Sequence, residues 1–465
     1  MSSRPQVAED PQQVGRVLVD YVPMPPQKGD VAISLGLIKL VRAAAPDARI
    51  TALAENCDLS APDNVGGFAA TYGIDDFIEK RSVAASEGSN GKASGGLLGR
   101  LARLVRNRGP EVFYREYALC LLRMLGRRAL PWLRGSVGAL ARAVAESDVV
   151  LLRGGGYIAS PHIVADICAL RLGAFYALNL ARALRVPYAI WGHTFFNLDG
   201  PRSIRELQPV VRGSRVTVCR EARSRDYLTS RGVPPGKLAV LPDTAFSLEP
   251  GPAERRQELL EAEGLADLGA PILGVNVRDL WGEKTAAGKL VDRQLDAVEQ
   301  AVRYMREHHG AAPVLLPHGF SNRIFELPGP EQDRRPLEVL FERLSRDGKA
   351  FLIQGDYRPT DLLTLYSSFD AVVCSRLHVG ILAACGGVPS VAIAYQRTKT
   401  FGIAQMMGQD EYVVDLADID PEALTQTVER LWQHREQLSK RLLEETLPRL
   451  RAQLSDYARL TMEGV

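Results

Sequence analysis

Ser375-Arg376-Leu377-His378 follows the apolar run Ala371-Val-Val-Cys374 and precedes a stretch of small residues ending in Gly386-Gly387-Val388-Pro389. A strand that stops at Ser375 and a helix that starts near Leu377 bring unpaired backbone N–H groups to one point. Such a helix start binds phosphate or carboxylate. Arg376 adds a bidentate clamp, and His378 adds a proton donor. An anion is the expected ligand of this junction. The plainer alternative is an Arg and a His that cap a helix by chance.

Other groups of suitable type recur along the chain. Asp30, in Lys28-Gly29-Asp30, either caps the following helix or faces a ligand. Gly155 and Gly156, in Arg153-Gly-Gly-Gly-Tyr157, allow a ligand close to the backbone. That run is neither GxGxxG nor a P-loop, so it does not demand a nucleotide. His193, in Trp191-Gly192-His193-Thr194, suits a ligand contact or a structural hydrogen bond equally well. Arg220 precedes Glu221 and Ser224, and Asp243 lies in Pro242-Asp243-Thr244-Ala245-Phe246. Arg278 and His318 each follow an apolar run, and Tyr395, Arg397 and Lys399 add polar and positive groups further on.

These residues share one position: the carboxyl end of an expected strand. Short β-branched runs cover 16–21, 49–53, 148–152, 188–191, 215–219 and 238–241. A second series covers 272–277, 312–316, 350–353, 371–374, 390–394 and 411–414. Continuous apolar runs such as Val-Val-Leu-Leu suit strands covered on both faces, and their alternation with helical stretches predicts parallel sheets. The fold class is therefore α/β, with two Rossmann-like domains facing across a cleft. The expected organisation is a disordered tail over 1–13, a first domain over 14–248, a linker over 249–270, a second domain over 271–420 and a helical region over 421–465. That last region is expected to pack back across the first domain. Ligands of open α/β sheets bind at strand carboxyl ends, and a two-domain chain adds the cleft between them.

The bulk numbers narrow the function classes. With 465 residues, 46% hydrophobic and 24% charged, the chain is of ordinary globular composition. A net charge of +2 gives no support to nucleic-acid binding. Cys57, Cys120, Cys168, Cys219, Cys374 and Cys385 match no zinc spacing and read as small buried hydrophobes in a reducing compartment. No signal peptide or membrane span is visible, so a cytoplasmic setting is expected. Residues 82–142 read as an insertion: a Ser/Gly-rich loop, then ten arginines against two glutamates over 100–142, interleaved with Leu, Trp and Phe. This stretch suits either contact with an anionic membrane or an ordinary helical insertion with solvated arginines.

Taken in order, Gly29-Asp30, Gly154-Gly155-Gly156, Arg220-Glu221 with Ser224, the 242–246 segment and Ser375-Arg376-Leu377-His378 resemble the polysaccharide pyruvyl transferase family. The resemblance implies a GT-B-like fold. It also implies transfer of the enolpyruvyl group of phosphoenolpyruvate onto two sugar hydroxyls, forming a pyruvate ketal and releasing phosphate. The family's donor-binding Arg-Leu-His motif falls on Arg376, Leu377 and His378, and its second donor arginine on Arg220, with Arg278 as the fallback. His378 is then the expected general acid, and Asp243, His193 and Asp30, in that order, are candidates for base or oxocarbenium stabiliser. Ser375, Gly155, Gly156 and His318 are expected to line the substrate site. No cofactor or metal is expected. The expected partners are phosphoenolpyruvate and a sugar or glycan acceptor, lipid-linked acceptors included, with oligomeric state left open. Two rivals stay in view: a GT-B glycosyltransferase using a nucleotide sugar, and a non-catalytic binder of sugar or anion.

Overall fold

The computed structural model describes residues 14–23, 27–55, 71–80, 97–158, 166–196, 198, 203–279, 287–319 and 333–463. The expected N-terminal tail and most of the Ser/Gly-rich loop lie outside the described residues.

Two parallel sheets carry the chain. The first contains β1 (Arg16–Val22), β2 (Arg49–Glu55), β3 (Asp76–Lys80), β4 (Val149–Leu152), β5 (Tyr188–His193), β6 (Thr217–Cys219) and β7 (Leu238–Val240). Their spatial order is β3-β2-β1-β4-β5-β6-β7. The second contains β8 (Ile272–Asn276), β9 (Ala312–Leu315), β10 (Phe351–Leu352), β11 (Ala371–Cys374), β12 (Ser390–Ala394) and β13 (Val413–Asp415), ordered β10-β9-β8-β11-β12-β13. Each is a Rossmann-type order, reversing between β1 and β4 and between β8 and β11. At such reversals the neighbouring crossovers leave to opposite faces and open a crevice at the strand ends. The central strands are covered on both sides: every residue of β4, β5 and β11 is buried.

β3 was not among the expected strands. It is an edge strand, paired only with β2, and its sequence Asp-Phe-Ile-Glu-Lys carries polar residues at both ends. The 249–270 segment holds one helix, Ala253–Ala262. The carboxyl-terminal helices Pro421–Arg441 and Leu447–Met462 are joined by a π-turn. The second of them returns to the first sheet's side. Arg451 donates to the carbonyls of Phe246 and Leu248, and Arg215 donates to that of Thr461.

The two halves share apolar packing. One continuous cluster of buried residues includes Val17 and Val19 from β1, Leu37 and Val41 from the helix Lys28–Ala44, and Leu382 and Ala383 from the helix Leu377–Cys385. Leu450 and Leu454 of the last helix belong to it too. Cys219, Cys374 and Cys385 are buried, but Cys120 is exposed. Cys120 is a correction to the expectation of burial. It lies on the outer face of the helix Leu97–Leu125, one helical repeat from Tyr117 and Met124, both exposed. Among the described residues no helix is long and apolar enough to cross a membrane.

Candidate active site at the switch points of both sheets

The strand ends at the two reversals face one another. On the second sheet, Asn276 closes the otherwise apolar β8 and organises the turn after β11. Its side-chain oxygen accepts from the Arg376 N–H at 3.0 Å, and its amide donates to the Leu316 carbonyl at 2.8 Å. The Arg376 guanidinium donates through Nε (2.8 Å) and Nη2 (2.5 Å) to Asp333, a fully buried carboxylate at the start of the helix Arg334–Ser345. That side edge is engaged by the protein's own carboxylate, so the bidentate grip expected of Arg376 is in this structure made on Asp333.

Ser375 is 4% exposed and its hydroxyl accepts from the Arg278 N–H at 2.6 Å. It therefore ties β8 to β11 instead of presenting its hydroxyl to a ligand. Leu377 packs against the shared apolar cluster. The Arg278 guanidinium lies 4.2 Å from the ring centre of Tyr395, whose hydroxyl accepts from Lys399 at 2.7 Å. Burial alone would raise the Tyr395 hydroxyl, but Lys399 and Arg278 outweigh it and hold it below the usual tyrosine range. Burial, with Arg220 and Arg278 nearby, lowers Lys399. Arg278, Tyr395 and Lys399 form a compact, half-buried cationic group at the ends of β8 and β12.

On the first sheet, Arg220 is 2% exposed. It donates through Nε to Thr194 (2.6 Å) and through Nη1 to Asp243 (2.9 Å). Glu221 accepts from Thr194 and Ser224, and burial raises its carboxyl above the usual range. Asp30 accepts from Arg153 at 3.0 Å, and its side chain is 39% exposed. Burial would raise Asp30, but Arg153 and then His378 lower it. Arg153 in turn sits beside the stacked rings of Tyr21 and Tyr157, whose centroids are 3.5 Å apart.

Tyr21 holds a φ of 71° at the end of β1. A non-glycine residue in the left-handed region stores strain, which is common at functional strand ends.

The two halves meet at His378. Its Nε2 lies 3.6 Å from Asp243 Oδ2, beyond hydrogen-bond length but close enough for an ion pair when the ring is charged. Burial would raise the Asp243 carboxyl, but His378 and Arg220 outweigh it and hold Asp243 well below the usual range. Gly29 makes the approach possible, because a Cβ there would fall 2.4 Å from the His378 ring. Lys28 pairs with Asp356, and Gln27 bridges Gly319, so the same loop binds the second half at three points.

Of the two glycines expected to line the site, Gly155 has another role. The Gly155 N–H donates to the Gly192 carbonyl at 3.2 Å, so it is not offered to an anion. Gly155 has a φ of 153° and lies against the Tyr157 ring. Gly156 does face the site, with the Arg220 Nη2 3.5 Å from where its Cβ would be.

His193 and His318 are deeply enclosed. They are 0% and 3% exposed, and among the described residues the ring nitrogens of His318 have no hydrogen-bond partner. Tyr157 covers His193 edge-on at 4.7 Å. Burial first, then Arg153 and Arg220, push His193 well below its usual pKa; burial, His378 and Arg376 do the same to His318. Burial therefore favours the neutral form of both rings. Below about pH 6.5 the unfolded chain takes up protons at these positions while the folded chain does not. Stability contributed by the two neutral rings is therefore complete above about pH 6.5 and falls as the pH drops, by up to about 1.4 kcal/mol per pH unit for each ring. Urea midpoints between pH 7 and pH 5 should show this slope, and the double variant His193→Asn/His318→Asn should flatten it.

Asp333, Asn276, Arg153 and Thr194 were not singled out from the sequence. Asn276 left a signal, a polar residue closing an apolar strand. Asp333 left none, standing 43 residues before the arginine it holds. Among the described residues no cluster of His, Cys, Asp and Glu could hold a metal ion.

Similar folds occur in known structures. A glycosyltransferase from Rickettsia africae aligns with a TM-score of 0.54 at 11% identity, covering 96% of each chain. UDP-GlcNAc 2-epimerase from Neisseria meningitidis, bound to UDP-GlcNAc, aligns at 0.51 and 12%, covering 96% of this chain and 99% of that one. A further UDP-N-acetylglucosamine 2-epimerase aligns at 0.53 and 11%, covering 96% and 94%. At these identities the likeness establishes the GT-B fold alone. No curated protein matches in sequence. The polysaccharide pyruvyl transferase family model matches residues 28–397, a span that includes Asp30, Arg220, Asp243, Arg278, Asp333, Arg376 and His378, and the chain belongs to that family.

Proposed function

We propose that this chain moves the enolpyruvyl group of phosphoenolpyruvate onto two hydroxyls of a glycan or glycolipid sugar, forming a pyruvate ketal and releasing phosphate. One observation carries the reading: His378, on the Arg-Leu-His turn of the second half, stands 3.6 Å from the Asp243 that Arg220 of the first half holds. A donor with both a phosphate and a carboxylate needs cations on more than one side. Arg376, the Arg278–Lys399 group and Arg220 supply them without a metal.

The proton balance suits these residues. Protonation of C3 turns the methylene into a methyl and leaves an oxocarbenium-like C2. The first hydroxyl adds to C2 and loses its proton. The second displaces phosphate, which departs with the C2–O bond electrons and takes up a proton. His378 is the proton donor. Asp243 is fully buried and strongly acidic, which makes it a poor base. Its role is to position His378. Asp30 is the candidate carboxylate with exposure into the cleft, so it faces the cationic C2 and the attacking hydroxyl. This reverses the order expected from sequence.

The cationic group after β12 also separates this reading from a nucleotide-sugar transferase, which would need a carboxylate for the ribose diol. Incubation with phosphoenolpyruvate and envelope glycans should release phosphate and add a ketal to a sugar, read by mass spectrometry. Turnover of a UDP-sugar with phosphoenolpyruvate inert would overturn the proposal. So would binding of phosphoenolpyruvate without turnover across a broad sugar panel.

A further inference from the structure

Five of the seven large hydrophobic side chains that are exposed among the described residues fall in one short stretch: Phe113, Tyr117, Met124, Leu125 and Trp132. Phe113, Tyr117, Cys120 and Met124 are spaced by four, three and four residues, so they form one stripe along the helix Leu97–Leu125. The opposite face is spent on the protein: Ala118, Leu119 and Leu122 are fully buried. Folding therefore leaves an aromatic and aliphatic stripe on the outside of a helix that is otherwise well anchored. A contiguous apolar patch of this kind marks a contact surface.

The charge around the stripe is predominantly positive. No Asp or Glu occurs between Glu116 and Glu146, while Arg123, Arg127, Arg128, Arg134 and Arg142 do. Glu111 and Glu116 are themselves paired, with Arg115 and Arg171. Arg123, Arg128 and Arg134 are exposed and have no carboxylate partner among the described residues. Arg123 also lines a depression that runs on into an open groove of about 800 Å³, bordered by Arg182, Arg205 and Arg212. Arg205 and Arg212 likewise lack a carboxylate partner among the described residues. Arg127 reaches the Ala145 carbonyl just before β4, and the Tyr188 hydroxyl at the start of β5 borders Gly213. These contacts put the groove at the amino-terminal edge of the sheet, away from the cleft.

We propose that this wall of the first domain docks peripherally on an anionic phospholipid bilayer. The stripe would enter the headgroup boundary, and the arginines would meet lipid phosphates. Aromatic and aliphatic side chains flanked by basic ones are the composition of interfacial helices. A second copy of the chain fits less well, because a two-fold contact would set one net-positive surface against another. Docking through this wall leaves the cleft open to the aqueous phase, where a water-soluble anionic donor resides. The inference is independent of the proposed reaction.

The test is co-sedimentation of the full chain with vesicles of phosphatidylcholine alone or with one-third phosphatidylglycerol. Pelleting is expected with the anionic vesicles only, and 0.5 M salt should release it through screening. Each basic residue near such a surface contributes roughly fivefold to partitioning. Arg123→Glu/Arg128→Glu should therefore weaken partitioning by at least about 25-fold, while Arg123→Lys/Arg128→Lys keeps it. Phe113→Ser/Trp132→Ser should cost about tenfold or more. All three variants should keep the wild-type thermal midpoint, since the side chains are exposed. Absence of pelleting with anionic vesicles at low salt, or equal pelleting of the charge-reversed variant, would overturn the proposal. So would a wild-type dimer in light scattering that the serine variant splits, which would identify the occupant as a second copy.

Discussion

Replacing Arg220 with alanine should abolish turnover and, at the same time, destabilise the fold by about 3–5 kcal/mol, the usual cost of stripping one partner from a buried ion pair. Asp243 would be left fully buried with only His378 opposite, and Thr194 would lose its donor at 2.6 Å. The two effects can be separated. Arg220→Ala/Asp243→Asn removes both charges, so most of the stability should return in denaturant titrations. Activity should not return, because the proposed donor has lost a cation on the first-sheet side of the cleft. Arg220→Lys keeps the charge but cannot reach Thr194, Asp243 and the Gly156 side together, and a large loss of activity is expected there too. Recovery of turnover in the double variant would remove Arg220 from the site.

His378→Ala should lower kcat by about 10²–10⁴-fold, the range for a positioned acid, and change the phosphoenolpyruvate KM little. The His378 side chain is 15% exposed, so its loss should move the thermal midpoint far less than loss of Arg220. Single-turnover phosphate release is the appropriate measurement, since it isolates the chemical step from product release. Asp243→Asn should share part of this defect by loosening the ring, with no further loss when combined with His378→Ala. An alanine variant that turns over at the wild-type rate would shift the proton donor elsewhere.

The strand-to-helix turn after β11 was legible because its parts are contiguous: an apolar run, then Ser-Arg-Leu-His, then small residues. Local chemistry and topology pointed the same way. The partners of that turn were not legible. Asp333, Asn276 and Asp243 reach Arg376 and His378 only through folding, and periodicity carries no record of such distances.

His193 and His318 show a different limit. His193 closes β5, where alternation turns one residue out and the next in, whereas His318 lies three residues beyond β9, where periodicity carries no direction. Both rings are buried, which no pattern in the sequence records. β3 escaped notice because an edge strand can tolerate polar residues that a central one would reject. In the arginine-rich helix the composition was visible, but which face it buried was not. Cys120 was assigned to the inside from its apolar neighbours and lies outside with the aromatic stripe.

The apolar cluster that runs from β1 through the helices Lys28–Ala44 and Leu377–Cys385 has a consequence for how the site works. Domains joined by a small polar seam rock freely; a shared hydrophobic interior resists it. Here the seam is cored, and the carboxyl-terminal helix straps the second half to the first. The approach of Gly29 to His378 is set by that packing, before any substrate arrives. The geometry between Gly29 and His378 is therefore pre-organised, and a ligand of this cleft would spend little binding energy on closing one half against the other.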